Sequence, residues 1–119
     1  MSKRQTARVL KPAKFNSRDM EKHAGEASAL LRAMASEHRL MVLCSLVQGE
    51  KSVSQLLEKV PLAQSALSQH LAVLRHEGLV GTRREGQTVY YSVKPGPSLE
   101  IIRVLYDNFC CAVPGAARS

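Results

Sequence analysis

The sequence predicts a mainly α domain with a small β-hairpin, a winged helix-turn-helix in the order α-α-α-α-β-β-α, paired as a homodimer through its first and last helices. Three observations predict it. Between Ala63 and Glu77 the apolar residues Ala66, Leu67, Leu71 and Leu74 recur at helical spacing, while the opposite face is short, polar and poor in Lys and Glu. Two strand-like stretches follow at once, Leu79 to Glu85 and Thr88 to Val93, joined through the turn sequence Glu85-Gly86-Gln87. The last helical segment is apolar on more than one side, which a chain this short can cover only with a second copy of itself.

In chain order, residues 1–17 lack hydrophobic periodicity and read as a disordered basic arm; a transit peptide is the alternative for that composition. Arg18 to Ala35 is the first helix, with Ala27, Leu30, Leu31 and Met34 on its apolar face. Ser36 caps a second helix, Glu37 to Gln48, which buries Leu40, Leu43, Leu46 and Val47 and stops at Gly49. Ser52 caps a short third helix with Val53, Leu56, Leu57 and Val60 as its apolar side. Pro61-Leu62 turns the chain into the polar-faced helix, whose expected end is Glu77-Gly78. After the hairpin, Pro95-Gly96-Pro97 breaks the chain and Ser98 caps a last helix ending near Cys110 or Cys111. The folded domain is expected to span 18–111, followed by a flexible tail over 112–119.

The fourth helix and the hairpin carry the functional signal. Gln64, Ser65, Ser68, Gln69, Arg75 and His76 occupy the polar face of the helix, and His70 on the same helix is a further candidate for contact with DNA. Short amides and hydroxyls near a helix N-terminus suit base edges in the major groove of double-stranded DNA, where Gln can pair bidentately with adenine. Arg83 and Arg84, with Gln87 and Thr88, flank the hairpin turn, where arginines can reach phosphates or a narrow minor groove. A two-fold dimer would set two such helices about one DNA turn apart, ~34–36 Å, on an inverted-repeat operator.

Charge refines that expectation. The chain of 119 residues has a formal net charge of +7, but six of its basic side chains and none of its acids fall within residues 1–18. The remainder is close to neutral, so affinity for a polyanion must come from a local patch, its duplication in a dimer, or the arm. No stretch has the length and apolarity of a membrane span and no signal-peptide pattern opens the chain, so a soluble, intracellular (cytoplasmic) protein is expected. No phosphate-binding glycine loop, Ser-His-Asp order or carboxylate pair stands out, so no enzyme activity and no cofactor are expected. Four scattered histidines, none at i+3 or i+4 from another His or a Cys, give no metal site on one helix face, and His23 with Cys110 across a dimer is the alternative. The three cysteines, Cys44, Cys110 and Cys111, are too few and too oddly spaced for a secreted disulfide framework. Taken alone, Cys44 reads as a small buried hydrophobe and the Cys110-Cys111 pair as incidental.

The stretches ALLRAMASEHRLMVLCSL, AQSALSQHLAVLRHEGLV and TRREGQTVYYSV resemble the ArsR/SmtB family of bacterial winged-helix repressors, over roughly residues 24–110. AMASEHRLMVLCSL together with LYDNFC is similar to that family's thiol- and persulfide-sensing branch. The resemblance implies a repressor with a dithiol switch between Cys44 and Cys110, driven by reactive sulfur species or an oxidant; Cys111 has no assigned role. It leaves open a metal-ion-responsive repressor and a redox-controlled anti-silencing activator. Two departures stand out: Ala63 occupies the N-cap of the fourth helix, where a Ser or Thr is usual, and the third helix and last helix lack the family's metal ligands. Arg39, His38 and the partner chain are the candidates for activating a thiol.

Overall fold

The computed structural model describes residues 16–110. Residues 1–15 of the expected arm, Cys111 and the tail over 112–119 lie outside the described residues, while Asn16 and Ser17 of that arm belong to the cap and start of the first helix. The elements are α1 (Ser17–Met34), α2 (Glu37–Val47), β1 (Lys51–Ser52), α3 (Val53–Lys59), α4 (Gln64–His76), β2 (Val80–Glu85), β3 (Thr88–Val93) and α5 (Pro97–Phe109). The helices and hairpin come in the expected order, with one strand added.

That strand corrects the two-stranded hairpin. Lys51 and Ser52 pair antiparallel with Tyr91 and Tyr90, so the sheet has three strands in the order β1-β3-β2. Two residues are too short to show a period-two pattern, and Ser52 also serves as the N-cap of α3, which hid its strand role. Its hydroxyl accepts from the Gln55 amide at 3.2 Å while the Gln55 side chain accepts from the Ser52 amide at 2.9 Å, a reciprocal capping box. Lys51 donates to the Ser45 carbonyl at 2.7 Å and so places a cation at the C-terminus of α2, where the helix dipole favours it.

The core is one cluster under the sheet and helices. Val42, Leu43 and Leu46 of α2, Leu56 of α3, Leu67, Leu71 and Leu74 of α4, Val80 and Ile102 are buried together. Each fully buried aliphatic side chain contributes about 1.5–3 kcal/mol relative to exposure. Two apolar faces differ from expectation. On α1, Ala33 and Met34 are buried while Leu31 is 52% exposed. On α2, Val42 is fully buried, whereas Leu40 and Val47 pack only on the cluster's edge.

The helix ends show why the sequence stops and starts where it does. Asn16 caps α1 through its side chain, so the helix begins at Ser17, one residue before the expected start. Ser36 caps α2 by accepting from the Arg39 amide. Gly78, with φ +79°, ends α4 in a left-handed turn: the Gly78 amide reaches the Arg75 carbonyl and the Leu79 amide the Leu74 carbonyl. The cap expected at Ser98 is instead Gly96, with Pro97 opening α5 and Ser98 buried inside it. Proline suits the first helical position because its missing N–H would have no partner there.

Candidate nucleic-acid interface and dithiol groove

Leu67, Leu71 and Leu74 fix the rotation of α4 by facing the core, so Gln64, Ser65, Ser68, Gln69 and Arg75 are left exposed on the outer side. Ala63 is the N-cap and makes no side-chain cap bond, as the sequence implied. A groove of about 440 Å³ runs between this side of α4 and β3, lined by Ser68, Arg75, His76 and Tyr91 among others, so helix and sheet share one surface.

His70 differs from its neighbours. It is half-buried and turned toward α2, where its Nδ1 accepts from Arg39 Nε at 3.2 Å and its ring lies 5.9 Å from that of His38. Burial, then the charges of Arg39 and His38, push its pKa down, which keeps it a neutral acceptor. Arg39 also donates to the Ala33 carbonyl at 3.2 Å, so one guanidinium ties α4 to the end of α1. This inward link was not legible in the sequence, which offered His70 only as a candidate for contact with DNA on the reading helix.

The hairpin closes through Gly86 and Gln87, with Glu85 opposite Thr88 and φ +63° at Gly86, as the tight hairpin turns require. Gln87 and Thr88 are exposed at this tip. Strand alternation separates the two arginines. Arg84 shares its face with Val80, Tyr91 and Val93, the face packed on the core and α4. Arg83 leaves on the other face, opposite Tyr90. There it donates to both Glu50 oxygens, at 2.7 and 3.1 Å, and to Glu85 at 3.1 Å, with its guanidinium 4.8 Å from the Tyr90 ring centroid. Hydrogen bonding from Arg83 holds the Glu50 carboxyl below its usual range. Among the described residues Arg84 has no ion-pair partner. Sequence reasoning missed Glu50 and Tyr90; the two-residue turn would have given the Arg83–Tyr90 register, but nothing signalled Glu50.

On the far side of α2 the two described cysteines border one groove. Cys44 is half-buried against the core edge and Cys110 is exposed at the end of α5; both are free thiols. They line one apolar groove of about 450 Å³ with Leu40, Met41, Leu105, Tyr106 and Phe109. Burial pushes the Cys44 thiol pKa up, and the nearby Cys110 raises it further, because two thiolates in one groove repel. Two of the suggested activators, Arg39 and His38, are elsewhere. Arg39 precedes Cys44 by five residues, about 140° around a helix of 3.6 residues per turn, and it faces His70 with His38. Among the described residues no three His, Cys, Asp or Glu side chains gather as a metal site, and no helix is long and apolar enough to cross a membrane.

The model of a bacterial regulatory protein family, arsR, matches residues 36–82. The transcriptional activator HlyU of Vibrio cholerae is 48% identical over 103 residues, covering 87% of this chain and 95% of that protein. Its solved structure superposes with a TM-score of 0.73 at 48% identity, over 76% of this chain and 99% of that one. The biofilm growth-associated repressor of Xylella fastidiosa is 40% identical over 92 residues, covering 77% and 81% of the two chains. The homodimeric winged helix-turn-helix DNA-binding domain of a Mycobacterium bovis protein is 26% identical with a TM-score of 0.65, over 78% and 85%.

Proposed function

The chain belongs to the arsR family of bacterial regulatory proteins, and from that premise we propose that it is a homodimeric repressor whose hold on operator DNA is set by a dithiol switch between Cys44 and Cys110. That it is a transcriptional regulator and not an enzyme follows from its family. The observation that carries the switch is the shared groove: two thiols distant in sequence line one apolar cavity between α2 and α5.

In the proposed reaction, the exposed Cys110 thiolate takes the outer sulfur of a persulfide RSSH and releases RSH. The Cys44 thiolate then attacks the Cys110 sulfur and expels HS⁻. Two thiols and one RSSH thus give one disulfide, RSH and H₂S; the electrons lost by the cysteines reduce the transferred sulfur. A second persulfide would lengthen the bridge by one sulfur. Either bridge ties α2 to α5 and shifts the dimer away from the arrangement that fits DNA. A coupling of about 1–3 kcal/mol changes affinity roughly 5- to 150-fold.

The dimer is supported by where apolar surface remains exposed: Met20 and Leu31 on α1, Met41 on α2, and Val104, Tyr106 and Phe109 on α5. Gln64, Ser65, Ser68, Gln69 and Arg75 are the proposed reading residues, with Arg84, Gln87 and Thr88 from the wing. A second reading, binding that displaces another silencer and so activates, is favoured by the name of the Vibrio relative, a transcriptional activator.

The test uses the full reduced chain, a duplex selected from a random library by binding, and glutathione persulfide. A Cys44–Cys110 bridge by peptide mass, with loss of the gel shift and recovery under dithiothreitol, is expected. Cys44→Ser should bind DNA and ignore the persulfide. Release without a bridge, or release driven by a tight stoichiometric metal ion, refutes the switch. Failure to bind any duplex refutes the operator reading itself.

A further inference from the structure

We propose that Glu50 and Glu85 hold Arg83 off the DNA, making the pair a specificity-determining brake on the wing and leaving Arg84 as its only arginine contact to phosphate. This rests on the DNA-binding reading and adds a role for residues that the recognition surface does not use.

The two arginines are adjacent in sequence and equivalent by composition, yet the sheet separates them. Arg84 emerges on the face that packs against α4, the side of the reading helix. Arg83 emerges on the other face, where three of its donors are already satisfied by two carboxylates. The Glu50 contact occupies the Nε/Nη2 edge, a bidentate fork that also recognises a phosphate, so that edge cannot hold both at once. Tyr90 beneath it fixes the plane of the fork. One cation and two anions leave this face of the wing net negative, and adding Arg84 brings the hairpin base only to neutrality.

The physical consequence concerns sequence-independent binding. Each phosphate neutralised adds about 0.9 to the slope of log affinity against log salt on duplex DNA. The domain beyond residue 18 is nearly neutral, so one extra phosphate contact per wing is a large fraction of its electrostatic affinity. Such a contact favours every sequence equally and narrows the margin between operator and bulk DNA. Glu50, anchored between α2 and β1, keeps that contact from forming.

The experiment is fluorescence anisotropy of the full chain on a random-sequence 30-base-pair duplex, across a salt series. Arg84→Ala is expected to flatten the slope by about 0.9 per protomer and Arg83→Ala to leave it as in the parent. Glu50→Gln/Glu85→Gln is expected to steepen it by about 0.9 per protomer, with affinity for the random duplex up several-fold at fixed salt. Adding Arg83→Ala to that double variant should return the slope to the parent value. A parent-like slope in the double variant overturns the proposal. So does a steep slope that survives Arg83→Ala, since lost acidic repulsion alone would then explain it. A flattening by Arg83→Ala in the parent background overturns it as well, because Arg83 would already be on phosphate. Circular dichroism melts of each variant separate these outcomes from misfolding.

Discussion

Closing the dithiol should raise thermal stability sharply, and the structure gives the scale. A Cys44–Cys110 bridge closes a loop of about 66 residues. The chain-entropy relation for a loop of that size gives about 4 kcal/mol of stabilisation by constraint of the unfolded chain. A domain of this length moves its melting temperature by roughly 4–8 °C per kcal/mol, so a strain-free bridge would add roughly 15–30 °C. The groove makes low strain the expectation, because α2 and α5 already pack together and Cys44 and Cys110 line the same cavity. The assay is scanning calorimetry on persulfide-treated and reduced protein at one fixed concentration, since a dimer's melt depends on concentration. Cys44→Ser, treated identically, should show no shift. A bridged sample, verified by mass, that melts at or below the reduced one would refute the reasoning: closure would then be distorting the fold, and the thiols would not be neighbours.

Three further outcomes are expected. Ala63→Ser should supply the missing cap of α4 and stabilise the protein by about 1 kcal/mol in urea titration, and a change below a few tenths would mean that the helix start has another cap. The bridging rate should climb with pH beyond the ordinary thiol range, because burial raises the Cys44 pKa and only its thiolate resolves the intermediate; a stopped-flow rate that is flat from pH 7 to 9.5 counts against Cys44 as the resolving thiol. The same raised pKa stabilises the reduced fold below the unfolded thiol value, and that contribution is lost as pH climbs through the folded value. Ser68→Ala and Gln69→Ala should each cost about 1–3 kcal/mol on the selected duplex and leave the random duplex nearly unaffected; equal losses on both would remove them from base reading.

The helices and hairpin were legible because each rests on a local signal: a leucine repeat on α4, serine caps before α2 and α3, a two-residue turn with glycine. The meeting of Cys44 and Cys110 was not legible in composition or spacing; only the family resemblance pointed to it, and the structure supplies the common groove. Strand β1 was lost because two residues carry no period. Ser98 was misread as a cap because a serine before an apolar run is the usual signature, and Pro97 overrode it by fitting the first helical position. The partners of His70 and Arg83 were missed for one reason. Periodicity says which face a side chain leaves from, but not what waits there, and a guanidinium in one case and two carboxylates in the other come from distant positions.

Helix α2 borders the cysteine groove along one flank and touches α4 along the other, with Arg39 bonded directly to His70. The proposed thiol switch and the proposed reading surface therefore share a single helix, with no loop between them. A small roll of that helix about its own axis moves both ends of the relay together. It follows that a packing change in the middle of α2, at Val42 or Leu43, could uncouple inducer from operator while each still reacts normally in isolation.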